Sequence, residues 1–221
     1  MTLELKKRMI TSTFLFLLLI LMYLYSFVLI ISLIIIATIS WIEFYALISK
    51  IYLKKKSMHS FFRAFFKVAF LVYIYSLVCL ILIIESQYTN LKIFVLYSIL
   101  VSVASDIGGL IIGKIFKGKK LTKISPNKTI SGSIGSFIFS LILIPFFITN
   151  IPEVSYLIFI IITLIISLTS QLGDLAISFL KRKAKVNDTS DLLPGHGGVL
   201  DRIDGIIIAL PVGILLFNFY L

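Results

Sequence analysis

This chain is poor in charge. Only 14% of its 221 residues are Asp, Glu, Lys or Arg, against about 25% in an ordinary soluble domain. The charges are also clustered, which leaves long uncharged runs between them. Cysteine occurs once, as Cys79 in an apolar run, so an intrachain disulfide is excluded and the redox compartment cannot be read from it. A small residue facing lipid or a neighbouring helix is the ordinary role of such a cysteine. Internal repeats and low-complexity linkers are absent. A small-residue cleavage site is also absent after the basic start Lys6-Lys7-Arg8, and apolar sequence continues almost unbroken to Ile48. That start is therefore expected to be an uncleaved first span rather than a signal peptide.

What the chain has instead is apolar surface: 59% of its residues are hydrophobic. A soluble domain of this length could not bury so much in one core, so lipid must act as solvent. Apolar windows near 10–25, 28–49, 64–84, 91–113, 131–149, 154–177 and 203–220 predict an all-α polytopic membrane protein of about seven transmembrane helices. One domain is expected over 1–221, with N-terminal spans in 10–84 and the chemistry in 91–221.

The cations orient it. All Lys and Arg except Lys92 fall in the N-terminal tail, residues 50–63, 114–130 and 178–202, or their immediate flanks. The alternate loops, 85–90 and 150–153, carry Glu85 and Glu153. Positive-inside bias then predicts a cytosolic N-terminus and a cytosol-facing site. The net charge of +11 is accounted for by basic loops such as Lys54-Lys55-Lys56, which also attract anionic headgroups; no nucleic-acid partner is expected. His59 is expected to be solvated or interfacial. Trp41 and Glu43 read as an interfacial anchor near the end of the second span, and Glu43 facing the site stays open without support from the sequence.

Two basic segments are too patterned to be plain loops. The first contains Asp106, Gly108-Gly109 and Gly113, then Lys114, Lys117, Lys119, Lys120, Lys123 and Ser125-Pro126-Asn127-Lys128-Thr129. A carboxylate late in a span calls for a cavity, a cation or a metal. Glycine lets backbone approach a phosphate, and lysine adds mobile charge. The second runs from Gly173-Asp174 through Ser178, Lys181-Arg182, Asp188 and Ser190 to Pro194-Gly195-His196-Gly197-Gly198 and Asp201-Arg202-Ile203-Asp204. Asp174 and Ser178 share a helix face, as do Asp201 and Asp204. Two or three carboxylates with room for phosphates suit Mg²⁺. The bland alternative is a set of helix-end charges flanking a plain turn. His196 either contacts phosphate or orders its loop.

The stretch from Ser178 to Asp204 resembles the diagnostic segment of CDP-diacylglycerol synthases (phosphatidate cytidylyltransferases). Ser178, Lys181-Arg182, Asp188, Pro194, His196-Gly197-Gly198 and Asp201-Arg202-x-Asp204 match, and Asn187 stands where the family has lysine. Asp106, Gly113, Ser125-Pro126, Lys128-Thr129 and Gly132 resemble a second family segment. Ile130-Ser131 replaces the usual Trp-Glu, Ile177 replaces a common Glu, and the N-terminal part is shorter. The resemblance implies attack of phosphatidate oxygen on the α-phosphorus of CTP, giving CDP-diacylglycerol and diphosphate in phospholipid biosynthesis.

It also implies Mg²⁺ on Asp174, Asp201 and Asp204, with K⁺ or a second Mg²⁺ left open. Lys128, Lys181, Arg182 and Arg202 would neutralise phosphate, and Asp106, Ser125, Thr129, Ser178, His196, Gly197 and Gly198 would meet substrate. A bacterial inner-membrane location follows, and a homodimer is compatible with it. Three other readings stand beside this one. A CDP-alcohol phosphatidyltransferase needs an Ala-Arg pair where Ile208-Ala209 stands. A CTP-dependent lipid-alcohol kinase would differ only in its acceptor. A transporter would place polar groups across the midplane rather than at one face.

Overall fold

The computed structural model describes residues 3–52, 57–87, 92–122, 125, 128–150, 154–195 and 197–220. The helices are α1 (Leu3–Leu24), α2 (Ser26–Ile51), α3 (Ser57–Gln87), α4 (Lys92–Phe116), α5 (Ile130–Leu141), α6 (Ile144–Phe147), α7 (Tyr156–Ala184) and α8 (Leu200–Tyr220). Helix is what an apolar chain in lipid must form, because it satisfies backbone N–H and C=O within the segment. The single apolar run at the N-terminus divides at Tyr25, whose extended backbone (φ −127°, ψ 110°) separates α1 from α2. A second break lies between α5 and α6. Pro145 in the first turn of α6 has no N–H for the Leu141 carbonyl.

Among the described residues, five helices are long and apolar enough to cross a membrane: Ser26–Ile51, His59–Gln87, Lys92–Phe116, Ile130–Phe147 and Tyr156–Ala184. This corrects the expectation of seven. The apolar part of α1, Met9–Leu24, is a shorter helix, about 24 Å long at a rise of ~1.5 Å, against a hydrocarbon core of ~30 Å. The last helix opens on Asp201, Arg202 and Asp204 and carries Pro211. Its uncharged stretch begins only at Gly205 and is about equally short.

The contacts divide the chain into two compact units, Met1–Gln87 with Leu180–Ile203, and Tyr88–Phe179 with Asp204–Leu221. In the first, α2 buries Ala37, Ser40, Glu43, Phe44, Leu47 and Ile48, an i, i+3, i+4 stripe. Ile74, Leu77, Val78 and Ile81 of α3 are buried too, and the Phe44 and Phe70 rings stack at 3.9 Å. Ser26 Oγ donates to Glu85 Oε1 at 2.5 Å, joining the other ends of α2 and α3.

In the second unit α4 and α5 meet through glycine. A methyl on Gly108 would overlap the Gly135 carbonyl, and one on Gly135 would lie 2.7 Å from the Gly108 carbonyl. Close approach of this kind is how helices associate where water offers no driving force. It also lets hydroxyls bond between helices: Ser136 Oγ donates to the Ser105 carbonyl at 2.7 Å, and the Ser105 and Ser167 hydroxyls lie 3.0 Å apart. The Tyr97 and Thr163 hydroxyls are 2.6 Å apart. Phe94, Tyr97, Val101, Phe159, Ile162, Ile166 and Phe217 form the apolar core around them.

Candidate active site

In the second unit the described residues of the basic segment before α5 are tied to one another by backbone hydrogen bonds. Leu121 N–H donates to the Lys128 carbonyl at 2.8 Å, Ile130 N–H to the Lys119 carbonyl at 3.0 Å, and Lys128 N–H to the Ser125 carbonyl at 3.1 Å. Thr129 caps α5, its Oγ1 accepting from Gly132 N–H at 3.0 Å. Ser125 and Thr129 thus have local structural partners. Held in this way, Lys128 forms an ion pair with Oδ2 of Asp174 on α7, both side chains about a quarter exposed. Ser178, one turn along α7, donates to Asp174 Oδ1 at 3.2 Å. Asp204 is buried, with Oδ1 accepting from Gly205 N–H at 2.9 Å. Asp106 lies exposed on α4.

In the first unit the Lys181 ammonium lies 2.6 Å from Asp201 Oδ1. The other oxygen, Oδ2, accepts from Thr189 N–H at 2.8 Å, Thr189 Oγ1 at 2.9 Å and Gly198 N–H at 3.1 Å. Asp201, in the first turn of α8, thus reaches back three residues to a backbone amide ahead of the helix. Burial by itself pushes the Asp201 carboxyl up. The Lys181 contact and the backbone donors outweigh burial and hold the carboxyl below the ordinary carboxylate range. Arg182 is exposed, and its Nη1 donates to Asn187 Oδ1 at 3.3 Å. Arg202 is exposed in the first turn of α8.

The glycine loop is organised differently from a phosphate cradle. Gly197 N–H donates to the Leu193 carbonyl at 3.1 Å, in a turn that needs φ +81° at Gly197. Gly198 N–H is taken by Asp201. Val199 and Leu200 N–H donate to Glu43 at 3.0 and 2.8 Å. These consecutive amides are all engaged within the protein, so the charges available for phosphate are side chains. The sequence left open whether Glu43 faces the site, and the structure brings it to this loop. Its signal was present as a carboxylate inside an apolar run; Trp41 two residues earlier made it look like an interfacial pair.

Of the expected site residues, Lys128, Asp174 and Ser178 come together in one unit, and Lys181, Asp201 and Gly198 in the other. His196 lies outside the described residues. Among the described residues, no group of three or more His, Cys, Asp or Glu side chains is placed to hold a metal. The donor chemistry nonetheless suits a hard cation. Asp174 Oδ2 and Asp201 Oδ1 each already face an ammonium group.

Comparison with known proteins agrees with the motif. The model of the cytidylyltransferase family matches residues 2–220. A phosphatidate cytidylyltransferase of Bacillus subtilis (strain 168) is 39% identical over 121 residues, 53% of this chain and 45% of that protein. Those of Staphylococcus haemolyticus (strain JCSC1435) and Staphylococcus aureus (strain COL) are 41% and 42% identical over 122 residues, covering 54% of this chain and 46% of each. The chain thus spans about half the length of the curated relatives it matches. Bacterial relatives and apolar helices of spanning length make this a bacterial membrane protein with a cytidylyltransferase-type role. It belongs to the cytidylyltransferase family, and the relatives it is similar to are phosphatidate cytidylyltransferases.

Proposed function

We propose that the chain transfers a cytidylyl group from CTP to phosphatidate. A phosphatidate oxygen attacks the α-phosphorus, the bond to the β-phosphate oxygen breaks, and diphosphate leaves. A phosphate monoester is anionic at neutral pH, so positioning and charge neutralisation matter more than a strong base. The observation that best supports this reading is the lysine on each of two motif carboxylates, Lys128 on Asp174 and Lys181 on Asp201. A lysine parked on a carboxylate is a mobile charge that an arriving phosphate can share. Arg182 and Arg202, both exposed, add fixed charge for the triphosphate and the lipid headgroup.

Asp174, Asp201 and Asp204 would hold Mg²⁺, and a bound Mg²⁺ supplies further neutralisation of the phosphates. The basic segments would face the cytosol, as the lysine distribution indicates. Single cysteines at Lys120 and Lys183 in a Cys79→Ser background should escape an impermeant thiol reagent in intact cells, and one at Gln87 should react. The reverse pattern would overturn the orientation.

The deciding assay mixes purified protein, CTP, phosphatidate and Mg²⁺ in detergent. CDP-diacylglycerol and diphosphate should appear together. Appearance of CDP with a phosphorylated lipid alcohol as acceptor product would indicate a kinase instead. No CDP-lipid from any phosphatidate would end the transferase reading.

A further inference from the structure

We propose that Glu43 is a positioning residue for the cytidylyl transfer. From the interior of α2 it sets the segment 189–200 and, through Thr189, the orientation of the Asp201 carboxylate. The inference rests on the transferase reading above. It concerns a residue outside the family motif.

Glu43 is 3% exposed. A carboxylate is kept inside an apolar helix only where donors surround it, and four do. Ser190 Oγ donates to Oε1 at 2.5 Å and Val199 N–H to the same oxygen at 3.0 Å. Leu200 N–H and Thr189 Oγ1 donate to Oε2 at 2.8 and 2.9 Å. All four are neutral groups. Val199 and Leu200 mark the start of α8, where unpaired amides and the helix dipole favour an anion. Glu43 therefore caps a helix that begins 157 residues later in the chain.

The coupling to Asp201 runs through one hydroxyl. Thr189 Oγ1 lies 2.9 Å from both Glu43 Oε2 and Asp201 Oδ2, and it has a single proton to donate. A shift of Glu43 changes how Thr189 serves Asp201, whose other oxygen faces Lys181. The fit is close. A methyl on Gly198 would overlap Thr189 Oγ1 and lie 2.6 Å from Glu43 Oε2. The loop has a second tether in the same unit, Thr11 Oγ1 donating to the Pro194 carbonyl at 3.0 Å.

A purely structural role would lower stability and the active fraction without further consequence. A positioning role alters the rate of folded protein and depends on the Thr189 hydroxyl. The test uses the full chain in detergent with Glu43→Gln, Thr189→Val, Thr189→Ser and the double variant Glu43→Gln/Thr189→Val. Glutamine keeps one acceptor oxygen and puts an NH₂ donor in place of the other, so either the Ser190 and Val199 donors or the Thr189 and Leu200 donors lose their acceptor. Hydrogen exchange in peptides covering 189–200 should quicken by about tenfold in Glu43→Gln, while peptides of α4 and the body of α7 stay unchanged. In protein of unchanged melting temperature, kcat for CDP-lipid formation should fall about 10–100-fold, the range for groups that orient a ligand. KM for CTP should stay within about threefold of wild type. Thr189→Ser should retain near wild-type kcat, Thr189→Val should lose it, and the double variant should be no worse than the weaker single one.

Unchanged exchange at 189–200 would overturn the proposal. So would a loosened loop with kcat within about twofold of wild type, or additive losses in the double variant. Thr189→Val supplies the same kinetic and exchange readouts should Glu43→Gln fail to fold. If wild-type protein makes no CDP-lipid, the reaction reading falls, and the exchange arm alone judges whether Glu43 anchors the loop.

Discussion

Lys181, in the last turn of α7, places its ammonium 2.6 Å from Asp201 Oδ1, with the Asp201 side chain 3% exposed and that of Lys181 15%. Such a pair is easier to break than to remove. Lys181→Ala leaves a buried carboxylate without its cation, which should destabilise the protein by about 3 kcal/mol, the low end for a buried pair. Adding Asp201→Asn removes the stranded charge and should recover about half of that loss. Thermal unfolding of the two variants in detergent checks the order. A double variant less stable than Lys181→Ala would show that the Asp201 charge is satisfied without Lys181.

Asp174 and Asp204 allow a cleaner test of metal use than Asp201, which also holds the loop. Asp174→Asn and Asp204→Asn should each lower CDP-lipid formation by about 10²-fold or more while the fold survives, since Asn costs less than Asp near lipid. Chelation of Mg²⁺ should abolish turnover in wild type, and excess Mg²⁺ should restore it. Near wild-type turnover in well-folded Asp174→Asn would remove that residue from the site.

Gly135 tests the packing that positions Lys128. Glycine to alanine inside a helix ordinarily stabilises by ~1 kcal/mol. Here the new methyl would overlap Ile112 Cβ and lie 2.7 Å from the Gly108 carbonyl. Overpacking costs about 1–3 kcal/mol, so the net effect of Gly135→Ala should be destabilising. A raised melting temperature would show that α4 and α5 can separate at little cost.

Asn187 is the motif's one departure, and the structure gives it a partner. Its Oδ1 accepts from Arg182 Nη1 at 3.3 Å. Asn187→Lys would replace that acceptor with a second cation, although both groups are exposed and the effect is worth only ~0.2–1 kcal/mol. KM for CTP should rise about two- to fivefold. A clear fall in KM would mean that a lysine here reaches phosphate, as the family pattern implies.

The class of protein was legible in sequence because its signals are local. Apolar run length decides helix, and lysine clustering points to an orientation. Asp201-Arg202-x-Asp204, with Lys181-Arg182 upstream, identifies the family within one stretch. Helix number was less legible. Whether the ends of α1 and α8 count as spans turns on a few charged residues at their borders. The partners of the site carboxylates could not be read at all. Lys128 finds Asp174 because Thr129 caps α5 and backbone bonds to Lys119 and Leu121 hold residues 128–130 in place. Glu43 meets Thr189 and Leu200 across 146 and 157 residues of chain. Such contacts depend on which helix faces pack, and at Gly198 on a backbone that leaves no room for a side chain. Spacing along one segment cannot encode that, because a carboxylate bonds whatever donor packing brings within about 3 Å of it.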